Sequence, residues 1–187
     1  MSPDSPPPPF RPPHPLALAL IAALARRPGA RVLEVGTGSG RNTRALLAAG
    51  FEVASLDAEG PVCAAALSSH ALLHGTRAQW SALLARIARA LEPGAPLYAT
   101  FGSVNDARYA VGAEIEPRVY APLEGDEIGV PHIFFTESEL REALAAAWEI
   151  VAIEERVVDE IAGAWAHERA PLRDARHWFV IARTRAQ

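Results

Sequence analysis

The chain has 187 residues and a net charge of −4, with 50% hydrophobic and 21% charged residues, which is typical of one globular domain. All 18 basic residues are arginines, so a lysine Schiff base and the lysine of a P-loop are excluded. The single cysteine, Cys63, excludes an intrachain disulfide, a multi-cysteine zinc site and an iron–sulfur cluster. Without a basic excess we expect no nucleic-acid or membrane partner, and a cytoplasmic location.

Residues 1–15 contain eight of the 16 prolines. Proline lacks the amide donor that helices and central strands use, so we expect residues 1–15 to be an extended or disordered tail. Residues 16–187 are then expected to form the folded domain. In the first part of that domain, Leu16, Leu20 and Leu24 recur at helical spacing, in a run too short to cross a bilayer.

Helix-like and strand-like segments alternate along the rest of the chain. Helices are expected at 42–49 and after two capping boxes, Thr76 with Gln79 and Thr136 with Glu139. This alternation is typical of an α/β fold with a doubly wound, mostly parallel sheet. The main expected strands are residues 31–35, 51–56, 97–101, 149–158 and 177–182.

A glycine-rich turn with the sequence Glu34-Val35-Gly36-Thr37-Gly38-Ser39-Gly40 joins the first expected strand to a helix. Alternate glycines let the backbone turn tightly and approach a ligand without an intervening Cβ. Asp57 follows the next expected strand. In a doubly wound sheet both segments lie at the carboxyl edge beside the ligand crevice, where an acidic side chain can accept hydrogen bonds from ribose hydroxyls.

Three nucleotide sites could use such a turn, and a turn that binds nothing is the fourth alternative. A P-loop requires the lysine that this chain lacks. A dinucleotide fingerprint, as in an NAD-dependent oxidoreductase, requires glycine or alanine at position 41, which is Arg41. The pattern E-x-G-x-G-x-G, which wraps the amino-acid end of S-adenosylmethionine, matches without a gap.

From about Leu16 to Arg183, the chain resembles the small bacterial class I SAM-dependent methyltransferases with an E-x-G-x-G-x-G-R-N-T motif. Segments 67–75, 87–94 and 129–136 also resemble parts of that family. The resemblance implies a Rossmann-like sheet, S-adenosyl-L-methionine as cofactor and methyl transfer to a small-molecule acceptor. The cofactor-binding residues that it implies are Glu34, Gly36, Thr37, Gly38, Gly40, Asn42, Thr43, Asp57 and Ser68.

Histidines are the candidates for the acceptor side, because a neutral imidazole can take a proton near pH 7. We expect His70 and His132 to face the acceptor, with His74 as a weaker candidate; the alternative is that each histidine is hydrogen-bonded within the structure. We expect no metal site, although His70, His74 and His132 together are a minor alternative. His177 is expected to be structural, and residues 102–135 are expected to form a substrate cap or a solvated loop.

The sequence departs from the family after Asp57, where only residues 58–61 precede Val62. The family places a helix, a third strand and an adenine-contacting acid there, so we expect a sheet shortened to fewer than seven strands. Crossing from the second strand to the fourth requires about 20 Å, whereas five extended residues span about 17 Å. The fourth strand must start late, near Ala65, or the second must be displaced, or a partner in a homodimer must supply the layer. A catalytically degenerate binding or assembly module is therefore the alternative function.

Overall fold

The structure is a computed structural model that describes residues 11–165 and 173–185. Its α-helices are α1 (Pro15–Ala23), α2 (Arg41–Ala48), α3 (Arg77–Arg89) and α4 (Glu137–Ala145). Two short 3₁₀ helices cover Ala71–Leu73 and Val158–Glu160. The strands are β1 (Arg31–Glu34), β2 (Glu52–Ala54), β3 (Ala65–Ser68), β4 (Pro96–Ser103), β5 (Ala113–Glu116), β6 (Val119–Ala121), β7 (His132–Phe135), β8 (Trp148–Val157) and β9 (Arg176–Thr184).

The centre of the sheet is parallel and has the order β2-β1-β3-β4. On the far side of β4, β9 pairs antiparallel, and β8 pairs antiparallel with β9. Neighbouring residues on a strand point to opposite faces, so Val32 packs with Leu20 and Leu46 on one face, while Leu33 packs with Ile87 on the other. Helices cover both faces, and the predicted α/β, Rossmann-like fold is confirmed.

The connected sheet has nine strands, so the expectation of fewer than seven strands is wrong. The additional strands are β5, β6 and β7, which lie in the segment that the sequence assigned to a substrate cap. The reason is the length of β4: β3 pairs only with Leu97–Ala99, and the end of β4 beyond it pairs with β7 at Gly102 and Ser103. Antiparallel β6 and β5 then extend from β7.

Ser55–Ala64, the link between β2 and β3, contains no helix or strand. β2 ends at Ala54 and β3 starts at Ala65, which is the late start that was the first of the three solutions to the crossing. At the amino end of β1, the Arg31 guanidinium donates hydrogen bonds to the carbonyls of Pro61 (2.7 Å) and Glu59 (2.8 Å). One arginine thus holds the returning chain against the sheet.

Residues 1–10 of the predicted tail lie outside the described part of the chain, which begins at residue 11. Residues 11–14 carry no regular secondary structure and lead into α1, whose first residue is Pro15. His14 is the N-cap of α1, and its Nδ1 accepts a hydrogen bond from the Leu16 amide (3.1 Å). No helix in the described ranges is long and apolar enough to cross a membrane.

Candidate active site

The glycine-rich turn lies at the carboxyl end of β1 and leads directly into α2. Gly36, Gly38 and Gly40 have φ values of +78°, +49° and +72°, in the left-handed region that favours glycine. A Cβ on Gly36 would lie 2.5 Å from the Cβ of Ala71, so close packing also requires glycine there. A Cβ on Gly38 would meet no atom within 4 Å, so this side of the turn faces space that a ligand can enter. Thr37 lies between these two glycines.

Glu34, the last residue of β1, is buried beneath this turn. Its Oε2 accepts a hydrogen bond from the Thr43 hydroxyl (2.6 Å), whereas its Oε1 is buried with no hydrogen-bond partner among the described residues. Burial raises the pKa of Glu34, against the lowering effect of the nearby Thr43 and Asn42 side chains. A buried carboxylate oxygen without a donor is costly, so this atom is suited to a ligand that brings an N–H group.

Asn42 connects three parts of the chain at the start of α2. Its Oδ1 accepts a hydrogen bond from the His14 amide (2.8 Å), and its Nδ2 donates to the Ser69 hydroxyl (2.9 Å). Both ends of this predicted cofactor-binding side chain are therefore engaged with protein. Next to it, Arg41 is buried and donates to the carbonyls of Gly163 (2.7 Å) and Trp165 (2.9 Å).

β3 ends in a buried polar segment beside the glycine-rich turn. Ser68 is fully buried, and its Oγ has no hydrogen-bond partner within the described residues. His70 has a φ of +89°, which is uncommon for a residue other than glycine, and its amide donates to the Thr100 hydroxyl (2.9 Å) on β4. Backbone strain of this kind costs about 1–3 kcal/mol and is concentrated at functional sites.

Three buried imidazoles, which we call the histidine cluster, meet at this edge: His14, His70 and His177. The ring centroid of His70 lies 5.7 Å from that of His14 and 5.3 Å from that of His177, with edge-to-face geometry in both pairs. His14 comes from the segment before α1, and His177 comes from the start of β9, opposite Gly102 of β4. The sequence analysis assigned His177 a structural role and gave His14 none.

Burial keeps two members of the histidine cluster neutral near pH 7. Burial, followed by the neighbouring His70 and Arg41, lowers the pKa of His14 to about 2. Burial is also the main cause that lowers the pKa of His177 well below its ordinary value, with smaller contributions from His70, Arg108, His14 and His132. Neither residue is suited to accept a proton at neutral pH in this environment.

The hydrogen bonds of these two rings fix where each neutral ring carries its proton. The Arg108 guanidinium can only donate, so at 2.8 Å the Nε2 of His177 accepts and its proton lies on Nδ1. The Nδ1 of His14 accepts from Leu16, so its proton lies on Nε2. Neither N–H donor, on His177 Nδ1 or on His14 Nε2, has a hydrogen-bond partner in the described structure.

Arg108 is held in place by a buried carboxylate that the sequence analysis did not single out. The side chain of Asp106 is fully buried and accepts hydrogen bonds from the amide and the guanidinium of Arg108 (both 2.8 Å) and from the Arg176 amide (2.7 Å). The same guanidinium lies over the Trp165 ring, 5.4 Å from its centroid. Spacing in the sequence gives no signal for this arrangement, because β9 brings Arg176 and His177 to it from 70 residues away.

His132 lies in a second group, together with His74 and Glu127. Its Nε2 is 3.0 Å from one oxygen of the Glu127 carboxylate, and the other oxygen is 3.1 Å from Nε2 of His74. The two rings lie edge to face with centroids 4.7 Å apart. His74 follows His70 of the histidine cluster by four residues, across the 3₁₀ helix Ala71–Leu73. His74 and His132 are candidates from the sequence, whereas Glu127 is not.

Asp57 lies in the link after β2, three residues beyond the end of the strand at Ala54. Its side chain is 86% exposed and its Oδ1 forms an ion pair with Arg86 of α3. The structure thus brings Glu34, Ser68 and the glycine-rich turn to one edge of the sheet, whereas Asp57 lies in the link that follows β2, the outermost parallel strand.

No family model matches the chain, and no curated protein matches it. Solved structures do match. A 1,6-didemethyltoxoflavin-N1-methyltransferase from Burkholderia thailandensis, with 1,6-didemethyltoxoflavin and S-adenosylhomocysteine bound, is 22% identical with a TM-score of 0.64, over 91% of this chain and 77% of that chain.

Two further solved structures show the same architecture. A SAM-dependent methyltransferase from Methanosarcina mazei is 17% identical with a TM-score of 0.67, over 89% of this chain and 98% of that chain. The amino pentose methyltransferase CalS10 from Micromonospora echinaspora, with SAM bound, is 19% identical with a TM-score of 0.53, over 92% of this chain and 91% of that chain. The chain therefore has the Rossmann-like α/β fold of SAM-dependent methyltransferases.

Proposed function

We propose that the protein is a SAM-dependent methyltransferase that acts on a small-molecule acceptor. One observation carries this proposal: a buried carboxylate oxygen without a partner, Oε1 of Glu34, lies beneath a glycine-rich turn whose Gly38 faces open space. These features fit the amino-acid end of S-adenosyl-L-methionine, because its ammonium group supplies the missing donors and its main chain can approach a turn without side chains.

The remaining proposed contacts extend along the same edge of the sheet. Thr37 and Gly38 would contact the cofactor just before α2, whose N-terminal N–H groups favour the cofactor's carboxylate. Gly40 would support this turn, because its amide donates to the Thr37 carbonyl (2.8 Å). Asp57 would accept hydrogen bonds from the ribose hydroxyls while Arg86 pairs with its Oδ1. Ser68 contributes a buried hydroxyl, whereas Asn42 and Thr43 act by holding His14 and Glu34.

The histidine cluster is the proposed acceptor side. The cofactor, when bound, supplies an activated methyl group, so the protein has mainly to align the acceptor and exclude water. The N–H groups on His14 Nε2 and His177 Nδ1 can donate to an acceptor molecule, which favours one with a carbonyl, hydroxyl or carboxylate oxygen. Because the neutral rings of His14 and His177 are poor bases, His70 is the proposed residue that takes a proton where the acceptor must lose one.

His132 would face the acceptor less directly than the sequence suggests. Its Nδ1 is bonded to the Val130 carbonyl (2.8 Å) and its Nε2 lies against Glu127. We propose that it orders the segment before β7 beside the acceptor, rather than exchanging a proton with it.

The solved structures support the cofactor and the class of acceptor. The Burkholderia thailandensis enzyme binds S-adenosylhomocysteine together with a small molecule, and CalS10 binds SAM. A fold can nevertheless host different functions, so the proposal depends on the residues described above.

A binding or assembly module is the second candidate function, and one feature favours it. The link after β2 has no helix or strand, so the described residues provide no further layer beside Asp57, whose side chain remains 86% exposed. A homodimer that covers this edge would supply the layer and is part of the same proposal. Methyl transfer to any small molecule would rule out the module.

Calorimetric titration with S-adenosylhomocysteine tests the proposal. We expect the wild type to bind, and Gly38→Ala to bind at least about tenfold more weakly because its Cβ occupies the open side of the turn. Gly29→Ala is the matched control, since Gly29 also has a positive φ and no neighbour within 4 Å but lies outside the site. No binding by the wild type, or equal binding by both variants, would contradict the proposal.

A second pair of variants tests Asp57 alone. Asp57→Ala should weaken binding of S-adenosylhomocysteine, whereas Arg86→Met, which breaks the same exposed ion pair from the other side, should not. An exposed pair contributes little to folding, so both variants should be as stable as the wild type. Equal weakening by both would mean that the ion pair, and not the carboxylate, matters for binding.

A further inference from the structure

Two histidines and one carboxylate from three separate segments converge beside the end of β4. His74 follows the 3₁₀ helix Ala71–Leu73, Glu127 lies in the loop after β6, and His132 begins β7. One ligand atom from each lies within 4.8 Å of the others. The backbones of His74 and His132 form an antiparallel bridge, and the Gly75 amide donates to the Pro131 carbonyl (2.8 Å), so the main chain holds the two rings together.

In the neutral form of His132, the ring nitrogen that faces the Glu127 carboxylate is a hydrogen-bond acceptor, as the carboxylate is. The Val130 carbonyl can only accept, so the His132 Nδ1 at 2.8 Å must carry a hydrogen. In the neutral ring, Nε2 then has a lone pair, which points at the Glu127 carboxylate 3.0 Å away. Two acceptors at this distance require either a proton between them, on the ring or on the carboxyl group, or a metal cation.

We propose that His74, Glu127 and His132 form a binding site for a divalent transition-metal ion of the zinc type. Two imidazole nitrogens and one carboxylate oxygen are a ligand set that zinc takes, with a fourth position left for water or a substrate atom. The hydrogen bond from His132 Nδ1 to a carbonyl is the outer-shell contact that metal-bound histidines usually make. This site differs from the sequence expectation of no metal and from the alternative His70–His74–His132 set, because Glu127 takes the place of His70.

The exposure of the three side chains allows an ion to enter and leaves room for a further ligand. The side chain of His132 is 4% exposed, Glu127 is 22% and His74 is 34%. A tetrahedral zinc ion with bonds of about 2.0–2.1 Å to nitrogen holds its ligands about 3.4 Å apart, so His74 must turn inward slightly, as its exposure permits. The inference goes beyond the proposed methyl transfer and does not depend on it.

Zinc titration of the full-length protein, stripped of metal with a chelator, tests the site. In competition with a chromophoric chelator, the protein should take up one zinc ion per chain. Loss of an outer-shell partner typically lowers metal affinity about 10- to 100-fold. Glu127→Gln removes a direct ligand, so it should lower the zinc affinity by more than this. His74→Gln should also lower it, and is a second variant at a more exposed position in case Glu127→Gln disturbs folding. Circular dichroism reports on the fold of both.

Glu124→Gln is the matched control, since Glu124 is an exposed glutamate in the same loop and loses the same charge. It should bind zinc like the wild type. Cobalt(II) gives an independent measurement, because a tetrahedral site produces visible absorption that should disappear in Glu127→Gln. Two results would overturn the proposal: a wild type that takes up no zinc, which would leave a protonated histidine–glutamate pair, or full zinc affinity in Glu127→Gln and His74→Gln, which would place the ion elsewhere.

Discussion

The glycines of the turn after β1 share a left-handed backbone but differ in their surroundings. A side chain on Gly36 would collide with Ala71, whereas one on Gly38 would enter open space. Packing therefore requires glycine at position 36, whereas at position 38 only the proposed ligand would contact an added side chain. Sequence alone gives all three glycines the same expected role, because the position of Ala71 is a property of the folded chain.

Gly36→Ala should destabilise the protein more than Gly29→Ala. Both substitutions place alanine at a positive φ, which costs about 1–2 kcal/mol. Only Gly36→Ala adds the contact with Ala71, worth about 1–3 kcal/mol more if the neighbours must shift. Urea unfolding measures both. Equal unfolding free energies for the two variants would mean that the chain near Ala71 shifts without loss of stability.

Glu34→Gln should stabilise the protein at neutral pH while weakening cofactor binding. Burial raises the pKa of Glu34 above 4.5. Between pH 4.5 and the raised pKa, the carboxyl group therefore keeps its proton in the folded state and loses it in the unfolded chain. The unfolding free energy of the wild type therefore falls as pH rises from 4.5 through the raised pKa. The variant lacks this loss, so it should be more stable than the wild type at pH values above the raised pKa, with no such advantage below pH 4.5.

Thermal unfolding across pH measures this difference in stability as a difference in Tm. Glu59→Gln is the control, since Glu59 is an exposed glutamate. An advantage of Glu34→Gln that does not change with pH would contradict the account.

At the scale of elements, the segment before α1 is fixed by contacts that its composition does not show. Proline-rich composition predicts an extended tail, and the structure buries His14 against Asn42 and Phe179 at its end. Local signals were sufficient where an element depends on its own residues. Both predicted capping boxes, at Thr76 and Thr136, are confirmed.

Asn42→Ala should loosen this segment. The substitution removes the acceptor of the His14 amide and the donor to Ser69, and leaves buried polar groups without partners, at a cost of about 1–3 kcal/mol. Hydrogen exchange at the His14 amide should become faster than in the wild type. Asn105→Ala, which removes an exposed hydrogen bond to Glu155, is the control and should change neither the stability nor the exchange at the His14 amide. Exchange at the His14 amide that is as slow in Asn42→Ala as in the wild type would contradict this role of Asn42.

At the scale of the whole molecule, the sheet has more strands than the sequence predicts, because β5, β6 and β7 extend it. The distance argument left three alternatives open, and the structure shows the first of them, a late start of β3 at Ala65. The strands β5–β7 were not predicted, since each has only three or four residues. They also depend on the end of β4 that extends beyond its pairing with β3. The histidine cluster was missed for a similar reason: β9 and the segment before α1 bring its members together over long sequence distances.

Arg31→Met should release the link after β2. Its guanidinium binds the carbonyls of Glu59 and Pro61, and their loss should increase hydrogen exchange across residues 58–62 and reduce stability by about 1–2 kcal/mol. Arg89→Met, at an exposed arginine of α3, is the control. Unchanged exchange in the Arg31 variant would show that the link keeps its path without this arginine.

We propose that the edge formed by the glycine-rich turn and Glu34 binds the cofactor. A crystal structure of the protein with S-adenosylhomocysteine tests it most directly. We predict that the amino group of the ligand lies within hydrogen-bond distance of Oε1 of Glu34, with its backbone against Gly38 and its ribose near Asp57. A ligand bound elsewhere, or an empty turn at saturating ligand, would contradict the claim.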